Sequence, residues 1–261
     1  MLNKKIVGVL RDSKIITQVA VSLDGENPKT HESFRGVKGC FLKTINGIKL
    51  LKEFGINTQI IMSLHKGNIN EIEGLINLAV DLRVNSFKIN PIMPSGRGDN
   101  MFMEKKTLSV KEIIELNQYI EKSLIDKYNI KILLCLPLAF RPIKYFKDKD
   151  FGICGILNIA GVLSNGDVSI CGIGKQEKEL VMGNIKKDNI QTIWENGLIF
   201  NQIRKDIPKN LEGVCGKCIL KVLCLGSCVA NNYYLERRLN APYWFCQEAY
   251  EKGLFPSSRL I

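Results

Sequence analysis

Residues 215–228 read CGKCILKVLCLGSC, and they contain four of the nine cysteines in this chain of 261 residues. Another cysteine follows after seventeen residues, so the group consists of Cys215, Cys218, Cys224, Cys228 and Cys246. Thiolates this close together repel one another and react unless a metal neutralises them. Because soft sulfur ligands select zinc or iron–sulfur clusters, the spacing predicts a metal-binding segment.

A second, smaller group of cysteines lies upstream. It consists of Cys154 and Cys171, and Gly166 stands five residues before Cys171. Seven cysteines can supply one four-coordinate zinc with three spare thiols, or two clusters that lack one ligand. The reactivity of paired thiols argues against a third alternative, in which the cysteines are buried without a metal. The residues alone leave zinc and iron–sulfur open.

The composition is that of a globular protein with a basic surface. The chain is 45% hydrophobic, and its formal net charge of +11 comes from lysines and arginines scattered along the sequence. Scattered charge predicts a solvated surface, with attraction to an acidic partner as the lesser alternative. The first residues lack the apolar core of a secretory signal, and the longest apolar run, 132–140, is too short to cross a bilayer. An odd number of cysteines without an export signal favours a reducing cytoplasm and no membrane association.

Strand and helix patterns alternate in the first 140 residues. Apolar-rich runs predict strands at 17–25, 58–64, 86–92 and 131–138. Helical spacing of apolar residues predicts helices over 41–54, 68–82 and 109–127, with a capping box at Ser109 and Glu112. This order predicts βαβ crossovers and a parallel sheet, hence an α/β fold. Beyond a basic and aromatic linker at 141–150, the chain is rich in cysteines and loops, with one helix near 190–204.

Polar residues stand at three predicted strand ends, within 22–25, 63–68 and 90–97. Ligands of parallel α/β sheets bind beyond the carboxyl ends of the strands, and Ser, Asp and Asn suit ribose hydroxyls or an amino-acid head group. Arg35 or Arg97 can pair with a carboxylate. Turn formation explains the same residue types without a ligand, so both interpretations stay open.

The two histidines, His31 and His65, have no partner at the spacing of metal ligands. The segment with Pro28, His31 and Arg35 is expected to form a loop. We therefore expect loop or rim positions for both histidines.

With these motifs in view, the chain resembles the radical S-adenosylmethionine (SAM) enzymes that carry a SPASM domain, a family of peptide- and protein-modifying maturases. The similarity rests mainly on the cysteine spacing, and it includes GlyAspValSerIleCys at 166–171, MetGlyAsnIle at 182–185 and IleTrpGluAsn at 193–196. Upstream, ValSerLeuAspGly at 21–25 and the Pro-x-Gly-Arg-Gly motif at 94–98 stand where a radical SAM barrel has its later strands. The resemblance implies a partial parallel (β/α) barrel that contains only those later strands, residues 1–140, followed by a linker and a small cysteine-rich SPASM domain, residues 141–261.

The resemblance also implies two [4Fe–4S] clusters. The ligands of the outer cluster would be Cys215, Cys218, Cys224 and Cys246. The ligands of the inner cluster, nearer the active site, would be Cys154, Cys171 and Cys228.

The fourth ligand of the inner cluster is not identified. Some relatives have a further cysteine just before the position of Cys154, whereas Asp148 stands there in this chain. Cys135 is a minor candidate, and Cys40 is expected to serve packing. The inner cluster is therefore expected to have an open iron or an unrecognised ligand.

Ser22, Asp24, Arg35 and Asn68 are the residues that we expect to contact SAM, in a complete form of the enzyme. The chain has no Cys-x3-Cys-x2-Cys motif, which in this family holds the cluster that cleaves SAM. The resemblance therefore implies a C-terminal portion, a split gene or a degenerate relative, not expected to cleave SAM alone, and leaves open whether it is an enzyme.

The implied function is that of the C-terminal portion of a maturase that modifies a ribosomally made peptide or protein. Its auxiliary clusters would serve electron transfer or substrate binding, with an electron donor such as ferredoxin or flavodoxin. A non-catalytic cluster-binding adaptor for a peptide or a partner enzyme is the alternative. A zinc ribbon that binds nucleic acid fits less well, because the cysteine-rich half lacks a basic stripe with interleaved aromatic residues.

Overall fold

A computed structural model describes residues 2–13, 15–146, 154–172 and 177–261. The chain forms two compact units. The first contains Met1–Ile92 and Met101–Cys135, and the second contains Met93–Asn100 and Leu136–Ile261. Within the described residues, no helix combines the length and the apolar character that a membrane span requires.

The first unit is built on a parallel sheet. Its strands are β1 (Val19–Ser22), β2 (Thr58–Leu64), β3 (Ser86–Pro91) and β4 (Lys131–Leu134), and they lie side by side in the order of the sequence. All three neighbouring pairs are parallel. The predicted α/β fold with a parallel sheet is therefore confirmed.

Helices precede β1 and connect the strands. They are α1 (Lys4–Asp12), α2 (Pro28–Arg35), α3 (Cys40–Glu53), α4 (Ile72–Asp81), α5 (Arg97–Met103) and α6 (Val110–Tyr119). The predicted capping box begins α6, since the hydroxyl of Ser109 accepts from the backbone N–H of Glu112 at 3.3 Å and the Glu112 carboxylate accepts from the backbone N–H of Ser109 at 2.7 Å. A π-helical segment, Ile120–Leu124, continues α6.

Helix α2 corrects the expectation of a loop between the first strand and α3. The side chain of Asn27 caps it by accepting from the backbone N–H of Thr30 at 3.2 Å, Pro28 is its first residue, and Gly36 ends it with a φ of 67°. Because residues four apart share one face of a helix, α2 presents His31 and Arg35 together.

The two faces of the parallel sheet differ, because successive side chains of a strand point to opposite sides. Val19 and Val21 pack against the cluster formed by Val7, Leu51 and Ile56. The strand register continues this face through six buried side chains, Ile60, Met62, Phe87, Ile89, Ile132 and Leu134. The opposite side, which we call the second face, consists of Ala20, Ser22, Gln59, Ile61, Ser63, Ser86, Lys88, Asn90, Lys131 and Leu133.

The second unit contains a small antiparallel sheet and short helices. The sheet has the order β5 (Gly161–Val162), β6 (Asp167–Ser169) and β7 (Val181–Asn184). The helices are α7 (Ile190–Asn196), α8 (Leu198–Asp206), α9 (Gly213–Lys217), α10 (Lys221–Cys224), α11 (Val229–Glu236) and α12 (Trp244–Glu251).

The single helix that the sequence predicts over 190–204 is two helices. Gly197 separates α7 from α8, and a Cβ atom at this position would lie 2.6 Å from the carbonyl oxygen of Ile193. Only glycine fits at this point without a shift of the backbone.

Candidate metal centre and sheet-edge site

Four of the cysteines line one pocket in the second unit. Cys215 lies within α9, Cys218 follows its last residue, Cys224 ends α10 and Cys246 lies in α12. The rest of the pocket wall is mostly apolar, with Pro137, Ala139, Leu211, Val214, Leu220 and Phe255. The chain therefore collects the four thiols that the sequence assigns to the outer cluster.

Backbone geometry after α10 turns the chain sharply between two candidate ligands. Leu225, Gly226 and Ser227 all have positive φ angles, of 54°, 77° and 60°. Two of these three residues are not glycine, and a non-glycine residue in the left-handed region is unfavourable unless its surroundings hold it there. This turn connects Cys224 to Cys228, which precedes α11.

Backbone N–H groups point at two of the sulfur atoms. The N–H of Tyr243 donates to Sγ of Cys215 at 3.4 Å, and the N–H of Leu220 donates to Sγ of Cys218 at 3.4 Å. Such hydrogen bonds favour the thiolate form, and in iron–sulfur proteins they are one of the factors that set the reduction potential.

The surroundings of the other thiols oppose a free thiolate. Burial raises the pKa of Cys224 to about 11 and also raises the pKa of Cys218. The pKa of Cys246 is raised because its thiol donates to Cys215 and is buried, whereas that hydrogen bond lowers the pKa of Cys215. Negative charge on all four sulfur atoms thus needs a compensating cation within the pocket.

The four thiols of this pocket form a donor set of soft sulfur ligands. Within the described residues, no three Cys, His, Asp or Glu side chains converge as the ligands of one metal ion. Four thiols around one apolar pocket nevertheless fit an all-thiolate centre, which zinc and a [4Fe–4S] cluster both accept. The geometry of the cysteines leaves the choice between these two groups open.

The cysteines assigned to the inner cluster are all half-buried and lie in the second unit. Cys154 precedes β5, Cys171 follows β6, and Cys228 precedes α11. Strand β5 approaches Cys171 closely at Gly161. A Cβ atom at this position would lie only 2.7 Å from the carbonyl carbon of Cys171. Their assignment to one cluster stays a prediction.

Three further residues concern the fourth ligand of the inner cluster, namely Asp148, Cys135 and Cys40. Asp148 lies outside the described residues. Cys135 is exposed and follows β4, with its backbone N–H donating to the carbonyl of Ile89 at 2.8 Å, and Cys40 begins α3.

Three of the four residues expected to contact SAM meet at the carboxyl ends of β1 and β2. The carboxylate of Asp24 accepts from Nε of Arg35 at 2.6 Å and from the backbone N–H of Ser63 at 2.9 Å. Nδ2 of Asn68 donates to the carbonyl oxygens of Asp24 at 2.8 Å and of Ser63 at 3.0 Å. Ser22, the fourth, is exposed at the end of β1. Because Asp24 is fully buried and its carboxylate is engaged by the chain itself, its position favours an organising role at this edge.

The expectation for His31 was wrong, because it occupies neither a loop nor a rim. It lies in α2 with 1% of its surface exposed, and its Nδ1 accepts from the backbone N–H of Asp24 at 3.1 Å. His65 is half-buried after β2, stacked on Phe34 with 4.9 Å between ring centroids. Burial lowers the pKa of His65, which favours its neutral form.

Three buried polar atoms in this unit have no hydrogen-bond partner within the described part of the chain. They are Nη2 of Arg35, Nε2 of His65 and Oδ1 of Asn90. An unpartnered buried polar atom costs about 1–3 kcal/mol, which a bound ligand can offset. Two nitrogens and an amide oxygen near strand ends fit a ligand with hydroxyl, carboxylate and amino groups, as SAM has. The assignment of Ser22, Asp24, Arg35 and Asn68 to such a ligand stays a prediction.

Comparisons with known proteins identify the metal-binding segment. The family model of SPASM, described as an iron–sulfur cluster-binding domain, matches residues 154–219. The AdoMet-dependent heme synthase of Methanosarcina barkeri is 30% identical over 256 residues, which cover 90% of this chain and 70% of that protein. The antilisterial bacteriocin subtilosin biosynthesis protein AlbA of Bacillus subtilis is 29% identical over 235 residues, which cover 85% of this chain and 49% of AlbA.

The fold also matches solved structures. SuiB of Streptococcus suis, bound to S-adenosylmethionine, superimposes with a TM-score of 0.68 at 19% sequence identity, and the match covers 95% of this chain and 57% of SuiB. The chain therefore spans about half to 70% of the length of these three proteins.

Proposed function

Since the chain belongs to the radical SAM enzymes that carry a SPASM domain, we propose that it is the cluster-carrying C-terminal portion of an enzyme that modifies a ribosomally made peptide or protein. The proposed domains are the part of the barrel in residues 1–140 and the linker with the SPASM domain in residues 141–261. The observation that carries this proposal is that Cys215, Cys218, Cys224 and Cys246 line the same pocket.

Two [4Fe–4S] clusters are proposed for this chain. The outer one is held by the four cysteines of the pocket, and backbone N–H groups stabilise the thiolates of Cys215 and Cys218. The inner one is held by Cys154, Cys171 and Cys228, with a fourth position open for a substrate group. When bound, such clusters supply electron transfer or a Lewis-acidic iron.

The first unit is proposed to hold part of the SAM surface at its strand ends. Arg35 offers a carboxylate a buried N–H that has no partner among the residues 2–13, 15–146, 154–172 and 177–261, while Asp24 and Asn68 fix the ends of β1 and β2 relative to each other. Ser22 is exposed and offers a hydroxyl group. These residues bind and orient SAM, and we assign no proton transfer to them.

Two relatives support a peptide substrate. AlbA is a biosynthesis protein for the bacteriocin subtilosin, and SuiB has been crystallised with the precursor peptide SuiA. The net charge of +11 suits an electron donor of negative charge, for which ferredoxin and flavodoxin are the classes that we expect.

A second candidate is the synthesis of heme or a related tetrapyrrole. The observation that favours it is the 30% identity to the heme synthase of Methanosarcina barkeri over 90% of this chain. The two candidates share the clusters and the site at the carboxyl ends of β1 and β2. They differ in the substrate that would bind to the second face of the parallel sheet.

The metal content of the anaerobically purified chain tests the cluster assignment. We expect roughly eight iron and eight inorganic sulfide per chain, with the broad visible absorbance of iron–sulfur centres. Stoichiometric zinc without sulfide would contradict the proposal. Roughly four iron per chain would contradict the second cluster alone.

A further inference from the structure

We propose that Lys88, on the second face of the parallel sheet, binds a carboxylate group of the substrate. This inference rests on the proposed function, because it names a chemical group that the substrate of that enzyme carries. It adds a binding residue that belongs neither to the cysteine pocket nor to the predicted SAM contacts.

The position of Lys88 follows from the strand register. It lies in the middle of β3, where its partners are Ile61 on β2 and Leu133 on β4. Its sequence neighbours Phe87 and Ile89 are fully buried on the opposite face. The Lys88 side chain therefore rises from the second face between two half-buried aliphatic residues.

The charge of Lys88 has no acidic partner within the part of the chain that the structure describes. Among the described residues, no acidic side chain forms an ion pair or a hydrogen bond with this lysine, which is itself half-buried. A cation that loses part of its hydration next to aliphatic side chains is unfavourable unless an anion compensates. Where lysines serve only to cover apolar surface, the ammonium group extends into water. If Lys88 binds an anion, its replacement should weaken the binding of that anion. If Lys88 only covers apolar surface, its replacement should leave anion binding unchanged.

Neutral hydrogen-bonding groups adjoin Lys88 on the side of the carboxyl ends. Asn90 lies two residues further along β3 on the same face, and its register partner is Ser63. Oδ1 of Asn90 is buried without a partner within the described residues. An ammonium group beside an amide and a hydroxyl can bind one carboxylate oxygen ionically and the rest of the group through hydrogen bonds.

From the middle of β3, the Lys88 ammonium group can meet a carboxylate that is bound at the carboxyl ends of the strands, where parallel α/β proteins bind their ligands. Such a group can belong to an acidic residue of a peptide or to a propionate of a tetrapyrrole. Both sources share the chemistry that Lys88 recognises, and the proposed experiment separates them.

The experiment measures binding to the full chain after anaerobic reconstitution of its clusters. One probe is iron coproporphyrin III, which has four propionates, and its matched control is the tetramethyl ester. The other probe is a glutamate-rich peptide, and its matched control has glutamine in place of every glutamate. Absorbance changes report the porphyrin and calorimetry reports the peptide.

We expect one of the two carboxylate probes to bind to the wild-type chain. Lys88→Met is expected to lower the affinity for that probe about tenfold or more, equivalent to about 1.4 kcal/mol. Lys88→Arg retains the charge and is expected to retain affinity within about threefold. Lys111→Met is the control for general charge, because the Lys111 side chain is 71% exposed on α6. For the tetramethyl ester and the glutamine peptide, which have no such carboxylates, we expect the same affinity in wild type and in all three variants.

The probe that binds identifies the source of the carboxylate. Equal affinity of wild type and Lys88→Met, or no binding of either probe, would overturn the proposal. Iron and sulfide are measured on the same samples, so that a failure of the cluster assignment is distinguished from a failure of the carboxylate site.

Discussion

Nε of Arg35 donates a hydrogen bond to Oδ2 of Asp24 at 2.6 Å, so that α2 is bound to the end of β1. Burial by itself would raise the pKa of Asp24. The nearby His31 ring, the backbone N–H of Ser63 and Nε of Arg35 outweigh burial and lower the pKa of Asp24 from its ordinary value of 3.8. The folded state therefore favours the ionised carboxylate, and this stabilisation is lost as the pH falls through the folded-state pKa.

We first predict that Asp24→Asn destabilises the first unit by about 2–3 kcal/mol near neutral pH, because the partly buried charge of Arg35 loses its partner. The difference from wild type should be constant above pH 5 and shrink below about pH 3.8. Hydrogen exchange at β1 and β2 measures this difference in stability at each pH. Asp81→Asn, an exposed change on α4, should stay within about 0.5 kcal/mol of wild type near neutral pH. A difference that grows on acidification would contradict the predicted sign.

A second prediction concerns Asn68, whose side chain joins β1 to β2. Asn68→Ala leaves the carbonyl groups of Asp24 and Ser63 without their donor, so we expect a loss of about 2–4 kcal/mol in the free energy of unfolding. Chemical denaturation measures it. The control Asn77→Ala changes an exposed residue of α4 and should stay within about 0.5 kcal/mol of wild type. Equal stability of the two variants would refute the role of Asn68.

A third prediction concerns the pocket of the second unit. Cys218→Ser should remove about four of the roughly eight iron atoms and unfold the residues around the pocket, because cluster binding contributes folding energy to so small a region. Iron analysis and thermal unfolding measure both effects. Cys135→Ser changes an exposed thiol outside the pocket and should keep the full iron content. Unchanged iron and thermal stability in Cys218→Ser would count against the assignment.

A fourth prediction concerns Gly216, which lies between Cys215 and Cys218. A Cβ atom at this position would lie 2.3 Å from the carbonyl oxygen of Leu211, so Gly216→Ala must displace α9. We expect loss of the outer cluster with the parallel sheet intact, measured as iron content and as hydrogen exchange in β2. Gly172→Ala, next to Cys171, is the control, because a Cβ atom there meets nothing within 4 Å. Full iron content in Gly216→Ala would show that α9 tolerates the shift.

The sequence predicted those parts of the fold that depend on strong local patterns. The strand over 58–64 and the capping box of Ser109 and Glu112 match the structure, since an apolar-rich run and a helix cap are both formed by neighbouring residues. Helix α2 was missed because it is short and polar and buries only His31. Asn27, Pro28 and Gly36 were the signal that could have identified it.

The site was predictable in its residue types and less so in its geometry. Sequence reasoning selected Asp24, Arg35 and Asn68 from strand ends, but only the folded chain shows that Asp24 is engaged by its own neighbours. Lys88 was not selected, because strand register decides which residues share a face, and register is not visible in one strand. The alternation from Phe87 to Asn90, with Lys88 and Asn90 as the polar members, was the available signal.

The division of the parallel sheet into two faces lets specificity and stability change separately. Ile60, Met62 and Leu64 of β2 are fully buried, while the alternate residues Ile61 and Ser63 are half-buried on the other side. Replacement at the second set alters what the surface can recognise and leaves the interior packing of the first set in place. A descendant of this chain can therefore acquire a new substrate through changes at every other residue of a strand, without rebuilding its scaffold.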